Sequence, residues 1–155
     1  MQSATLEVAH KRTLLQLAAE NGHVYVLIEL RTNWGLTRDD ARAQNNRALR
    51  WASDNGHVAV LIELRTNWGL TGEDARSQNN YALQWASDNG HVAVLIELRT
   101  NWGLTGEDAR AQNCMVLNYA AIKGRVAVLI ELRTNWGFTG EDVRAQYNMP
   151  VQLAT

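Results

Sequence analysis

The apolar positions of this chain recur in a fixed order of spacings. From His57 to Trp68, the residues Val60, Leu61, Leu64 and Trp68 fall on one face of a helix, at spacings of one, four and eight. Val58 and Ile62 form a second stripe on the other side. A helix apolar on two sides is sandwiched between neighbours rather than laid on a surface. Upstream, Arg47–Asn55 reads as a shorter helix with Ala48, Leu49, Trp51 and Ala52 apolar. It is entered through the turn-forming pair Asn45-Asn46 and stopped by Gly56. Downstream, Gly69 ends the longer helix, and Thr71-Gly72-Glu73-Asp74 fits another helix start. Its hydroxyl sits at the cap, and its acids face the dipole in the first turn. A third, short helical turn is therefore expected over Glu73–Ser77. No stretch alternates apolar and polar residues long enough for a strand, so the fold class is all-α.

The same order returns along the chain. Ser53–Arg76 is repeated without change as Ser87–Arg110, with diverged copies at Glu20–Arg42 and Ile122–Arg144. Trp34, Trp68, Trp102 and Trp136 lie 34 residues apart each time. Such a period marks a stacked array. The units are 10–43, 44–77, 78–111 and 112–145, with a partial unit at 146–155 and an N-terminal extension at 1–9. The third turn is then expected also at Asp39–Ala43, Glu107–Ala111 and Glu141–Ala145. A lone helix pair cannot bury both stripes of its second helix, whereas stacked units can. In the partial unit, Pro150 suits a first helical turn, and Val151 and Leu153 should face the core. The missing second helix should leave the stripe containing Val128 and Leu132 exposed.

Composition narrows the function classes. The length of 155 residues suits one domain, and 46% hydrophobic residues suffice for a continuous core. The net charge of −1 and only two lysines, Lys11 and Lys123, argue against nucleic acid as a partner. No apolar run approaches the roughly 18 residues of a membrane span. The N-terminus has no basic stretch followed by an apolar one, and Cys114 is the lone cysteine. An intracellular, cytoplasmic protein is the expectation.

Candidate chemistry is sparse. His23, His57 and His91 form a ladder, but stacked helices sit about 8–10 Å apart, whereas zinc ligands converge to about 2 Å of one ion. The fourth position is Arg125, which cannot ligate. The imidazoles are expected to hydrogen-bond the turns after Gly22, Gly56 and Gly90. Glu73-Asp74 recurs as Glu107-Asp108 and Glu141-Asp142, with Asp39-Asp40 in the first unit. A catalytic acid needs one special environment, so these are read as helix caps. Cys114 has no triad-like partners, and no phosphate loop is present. No catalytic residue, metal or cofactor is expected. The 34-spaced tryptophans are read as staples over the neighbouring loop, the alternative being exposed aromatic anchors for a partner.

Thr13-Leu-Leu-Gln-Leu-Ala-Ala-Glu-Asn-Gly-His23 resembles the ankyrin repeat, whose unit reads roughly TPLHLAAxxGHLxVVxLLLxxGA. Ala82-Leu-Gln-Trp-Ala-Ser-Asp-Asn-Gly-His91 continues the same frame, and Met149–Ala154 looks like the same start again. The resemblance covers residues 10 to 155. The wording of the units is similar to ankyrin arrays of large DNA viruses, protists and intracellular bacteria. The period of 34 departs from the family's 33, and its His is replaced by Gln16, Arg50, Gln84, Asn118 and Gln152. The Thr-Gly-Glu-Asp segment replaces the family's hairpin. The resemblance implies an ankyrin-like helical solenoid of two antiparallel helices plus a short turn per repeat. Trp51 and Trp85 replace a core leucine of the family pattern, which implies core positions.

Comparing the copies locates change at the first helix. One position reads Thr13, Arg47, Tyr81, Met115 and Met149; another reads Gln16, Arg50, Gln84, Asn118 and Gln152. Residues three apart share a helix face, and the resemblance implies that first helices line the concave, ligand-facing side. Arg47, Arg50, Tyr81, Gln84, Met115 and Asn118 are therefore the candidate protein-binding residues. The competing reading is a set of drifting solvated positions with an inner hydrogen-bond ladder. The expected function is a non-enzymatic scaffold or adaptor for another protein. The alternative is a self-associating array, natural or engineered, that meets further copies through uncapped terminal repeats.

Overall fold

The computed structural model describes the backbone of residues 2–145 and side chains from residue 5 onward. The expected docking of Pro150, Val151 and Leu153, like positions Met149 and Gln152, lies outside those residues. Among the described residues every regular element is helical. The helices are α1 (Gln2–Glu20), α2 (Val24–Asn33), α3 (Arg38–Asp54), α4 (Val58–Thr66), α5 (Gly72–Ala75), α6 (Ser77–Asp88), α7 (Val92–Asn101), α8 (Gly106–Ile122) and α9 (Val126–Asn135). A further helical segment covers 140–145.

Each second helix (α2, α4, α7, α9) is the 34-periodic apolar segment. Each begins after a Gly-His or Gly-Arg pair whose glycine has φ of +70° to +77°. The expected third turn is present in every unit, and its start is capped as the sequence predicts. In the second unit the Thr71 backbone N–H donates to Asp74 Oδ2 at 2.8 Å, and the Thr71 side chain completes a capping box. Asp40, Asp108 and Asp142 do the same for Thr37, Thr105 and Thr139.

Between the third turn and the next first helix the chain makes an unusual corner. Gln44, Asn45 and Asn46 have φ of 55–59° and ψ of 41–50°, one turn of left-handed helix without a glycine. Gln78–Asn80 and Gln112–Cys114 repeat it. Asparagine tolerates this region better than most residues, which accounts for the turn chemistry at Asn45-Asn46. In the first unit the equivalent residues are His10, Lys11 and Arg12, and α1 runs through them as an uninterrupted helix.

The units pack in chain order. First helices contact first helices (α1 with α3, α3 with α6, α6 with α8), and second helices contact second helices (α2 with α4, α4 with α7, α7 with α9). The core is one cluster of these faces, with Leu15, Leu49, Leu83, Leu61, Leu95 and Val128 fully buried. Two ladders of ion pairs tie each unit to the next, always 32 residues apart. Arg31, Arg65 and Arg99 donate to Glu63, Glu97 and Glu131 at 3.1–3.2 Å. Arg42, Arg76 and Arg110 donate to Asp74, Asp108 and Asp142 at 2.7–2.9 Å. At the first junction Arg12 takes this role, 2.7 Å from Asp40.

Each ladder carboxylate serves two masters. Glu97 accepts from Arg65 of the preceding unit and from Asn101 and Trp102 of its own, while only 5% exposed. Asp74 caps its own helix and binds Arg42 and Asn46 from the unit before. For Asp40, Asp74 and Asp108 burial pushes the pKa up, but the Arg hydrogen bond and the Thr N–H outweigh it and hold the carboxyl below its ordinary value. For Asp142 the Arg110 hydrogen bond dominates, in the same downward direction.

Three expectations need correction. Trp51 and Trp85 are half-buried on the first-helix face, not in the core; the equivalent Leu17 is 47% exposed. The core positions are their neighbours Leu49 and Ala52, which point between the layers. Val128 and Leu132 are fully buried: Val128 faces the preceding unit, whereas Leu132, like its first-unit equivalent Leu30, is covered within its own unit; the open stripe of α9 is Val126 and Ile130. Trp68, Trp102 and Trp136 are buried staples, whereas Trp34, in the first described unit, is 49% exposed.

Candidate functional site

The first-helix face carries a set of rings and guanidiniums in close pairwise contact. The Arg47 guanidinium lies 3.7 Å from the Trp51 ring centroid, and the Arg50 guanidinium lies 4.9 Å from that of Tyr81. Tyr81 and Trp85 are 5.6 Å apart, and Trp85 stacks on Tyr119 at 5.8 Å. These contacts run from the second unit to the fourth: Arg47–Trp51 and Tyr81–Trp85 are pairs one turn apart on a single helix, while Arg50 reaches Tyr81 of the next unit and Trp85 reaches Tyr119 of the one after. Of the six candidate residues, Arg47, Arg50 and Tyr81 belong to this set. The resemblance puts Trp51 and Trp85 in the core because the family pattern has a core leucine there, and it does not single out Tyr119, which stands at the same position. The signal that could have found them is Leu17-Trp51-Trp85-Tyr119 itself, another varying position of the same helix.

The second varying position has a local duty. Arg50 donates to the carbonyl oxygens of Asn45 at 2.8 Å and Gln44 at 3.1 Å. Gln84 donates to the carbonyl of Asn79 at 2.9 Å. These side chains latch the left-handed corner, supplying donors to carbonyls that helix geometry leaves open. That is the inner hydrogen-bond ladder of the competing reading. Arg47 adds a bond to the Gln44 side chain at 3.0 Å. Met115 and Asn118 are half-buried at the equivalent places of the fourth unit.

Beside the rings lies a shallow polar groove of about 590 Å³, lined by Asp54, Asn55, Tyr81, Trp85, Asn89 and His91. Asn89 donates to Asp54 Oδ1 at 2.6 Å, bridging two units. Burial pushes the Asp54 carboxyl above its ordinary pKa, and the nearby Asp88 and Glu20 add to this against Asn89 and His91. Burial also raises the Tyr81 phenol, with Asp54 adding to it and Arg50 opposing. The groove is thus a carboxylate-bearing recess walled by aromatic faces.

The histidines do not bond the turns as expected. The ring of His57 packs on Gly22 of the preceding unit, where an added Cβ would lie 2.6 Å from Nδ1; His91 packs in the same way on Gly56. At the fourth unit Arg125 replaces the ring over Gly90 and donates to the Asp88 carbonyl at 3.0 Å. The conserved contact is therefore a flat group laid on a bare glycine, which imidazole and guanidinium both supply. Among the described residues no three His, Cys, Asp or Glu side chains gather as a metal site requires. No described helix is long and apolar enough to cross a membrane. No protein-family model, curated protein or solved structure matches the chain.

Proposed function

We propose that this protein is a non-catalytic adaptor, an ankyrin-like helical solenoid that holds a segment of another protein along the face of its first helices. The observation that carries the reading is the row Arg50–Tyr81–Trp85–Tyr119, half-exposed aromatic rings in mutual contact across three units. Exposed Trp, Tyr and Arg clusters are the residues that dominate binding hot spots. The rings are held from below by the buried first-helix core, so little side-chain freedom is lost when a partner docks. The neighbouring groove adds a charge preference. Asp54 is kept from ionising easily by burial, and a cation placed between it and Trp85 would relieve that penalty while meeting an aromatic face. The partner segment therefore carries a Lys or Arg close to an apolar or aromatic residue. Its likeness to ankyrin arrays supports the same face as the ligand side.

The test is selection from a random displayed peptide library on the immobilised protein. Enriched peptides should share a basic residue beside an apolar one. The combination Tyr81→Ala and Trp85→Ser should lose them with the thermal transition unchanged, while Ile62→Ser on the second-helix side keeps them. Absence of enrichment, or retention of the peptides by the double variant, overturns the reading.

A further inference from the structure

On the second-helix side, the two end faces of the described chain carry unmatched halves of contacts that the chain makes three times inside itself. At each internal junction a second helix lends an Arg to the Glu of the next: Arg31 to Glu63, Arg65 to Glu97 and Arg99 to Glu131. One Arg and one Glu of this series are left over. Arg133 is exposed and has no carboxylate partner among the described residues. Glu29 is exposed, bonded to Asn33 and Trp34 of its own unit as Glu97 is to Asn101 and Trp102, but it receives no Arg. The ring-on-glycine contact is left over in the same way. Among the described residues Gly124 has nothing within 4 Å of where a Cβ would be, and His23 is exposed.

The apolar surfaces match as well. The last unit presents a groove of about 310 Å³ lined by Leu117, Val126, Leu129, Ile130, Phe138 and Val143, with Arg133 at its rim. The first unit presents Val26 at 42% and Trp34 at 49% exposure, although their equivalents Val60, Val94, Trp68 and Trp102 are at 0–4%.

We propose that a second copy of this chain docks its first unit on the last unit of the first copy, continuing the array head to tail. Arg133 of one copy then pairs with Glu29 of the next, His23 lies on Gly124, and Val26 and Trp34 fill the apolar groove. The occupant is a second copy because every element of the fit is a residue whose counterparts already make that contact within one chain. An unrelated partner would have to reproduce the charge, the ring and the apolar stripe together. The interface is heterologous and does not close on itself, so addition continues into a filament. It uses the end faces and leaves the first-helix rings free, so it stands or falls apart from the adaptor reading.

The test is sedimentation velocity on the full chain from about 1 µM to about 1 mM, the range of weak to moderate affinities. Mass should grow with concentration past the dimer. Arg133→Glu alone and Glu29→Arg alone should each raise the concentration of half-association by about ten-fold or more through like-charge contact. The chain carrying both substitutions, or an equimolar mixture of the two single variants, should restore it. Both side chains are exposed, so circular dichroism should report unchanged folding. A monomer at every concentration overturns the proposal, as does growth that stops at a dimer, which marks a closed isologous pairing. Single reversals without effect, or reversals not rescued by the combination, also overturn it.

Discussion

The peptide Val-Ala-Val-Leu-Ile-Glu-Leu-Arg-Thr-Asn occurs unaltered as α7 and as α9, and the two copies differ only in what stands beside them. In α7 Leu95 is fully buried and Val92 half-buried; in α9 Leu129 is half-buried and Val126 is 64% exposed. The near-identical α2 shows the opposite loss. Its equivalent of the buried Trp102 is Trp34, 49% exposed, and its Glu29 lacks the arginine that Glu97 receives. Helix formation is thus local and the same in all three, while burial and ion pairing belong to the junctions. Among the described residues an inner helix is held on two sides and an outer one on a single side.

The largest expected effect acts on all junctions at once. Asp40, Asp74, Asp108 and Asp142 all titrate below the ordinary carboxylate value of about 3.9. A lowered folded-state pKa means stability that is present above about pH 4 and lost as pH falls through the folded values. Asp54, shifted upward, opposes this, since its ionised form is the disfavoured one and protonation relieves it. Four sites outweigh one, so thermal melting should drop steeply below about pH 4. A melting temperature flat from pH 5 to pH 2.5 would show that the ladder contributes nothing.

The staples sharpen the contrast between inside and end. At dilute concentration, Trp102→Ala should cost about 3–5 kcal/mol in denaturant unfolding, the range for a buried tryptophan. Trp34→Ala, at the same place in the repeat, should cost less than about 1 kcal/mol. Similar costs would mean that exposure at the first unit is not what it is in the structure. The buried acids follow. Glu97→Ala leaves Arg65, Asn101 and Trp102 without their shared acceptor and should cost about 2–3 kcal/mol. Glu29→Ala removes only bonds within an exposed cluster and should cost under about 1 kcal/mol.

The smallest effect has opposite signs at equivalent positions. Asn79 sits at φ 57° in the left-handed corner, and Lys11, its counterpart, lies in the unbroken helix α1. Asn79→Gly should leave stability unchanged or raise it by up to about 0.5 kcal/mol, because glycine adopts that region without a Cβ clash. Lys11→Gly should lower it by about 1 kcal/mol, the helix-interior penalty. Urea titrations of both variants decide the point. Destabilisation by both would mean that the corner depends on the asparagine side chain rather than on its backbone.

Much of this was legible from residues alone. The period of 34 announces equivalent units, and the two-stripe segment His57–Trp68 announces a sandwiched helix. Thr71 with Asp74 announces a cap, because each is a short-range signal encoded in neighbouring side chains. The third turn could be placed for the same reason. The sequence could not say that Asp74 and Glu97 also reach across to Arg42 and Arg65, since those partners stand 32 residues away and meet only once the units stack. Nor could it place Trp51 and Trp85 on the surface, because an aromatic residue on a helix reads the same whether the next layer covers it or not. The left-handed corner lay between the two cases. Its asparagines mark a turn, but three consecutive left-handed residues also leave carbonyls open, and at the first two corners it is Arg50 and Gln84 that return to hold them. Local signals thus decide where helices begin and end. Which faces are covered, and which charges are paired, is a property of neighbours that the chain acquires by folding.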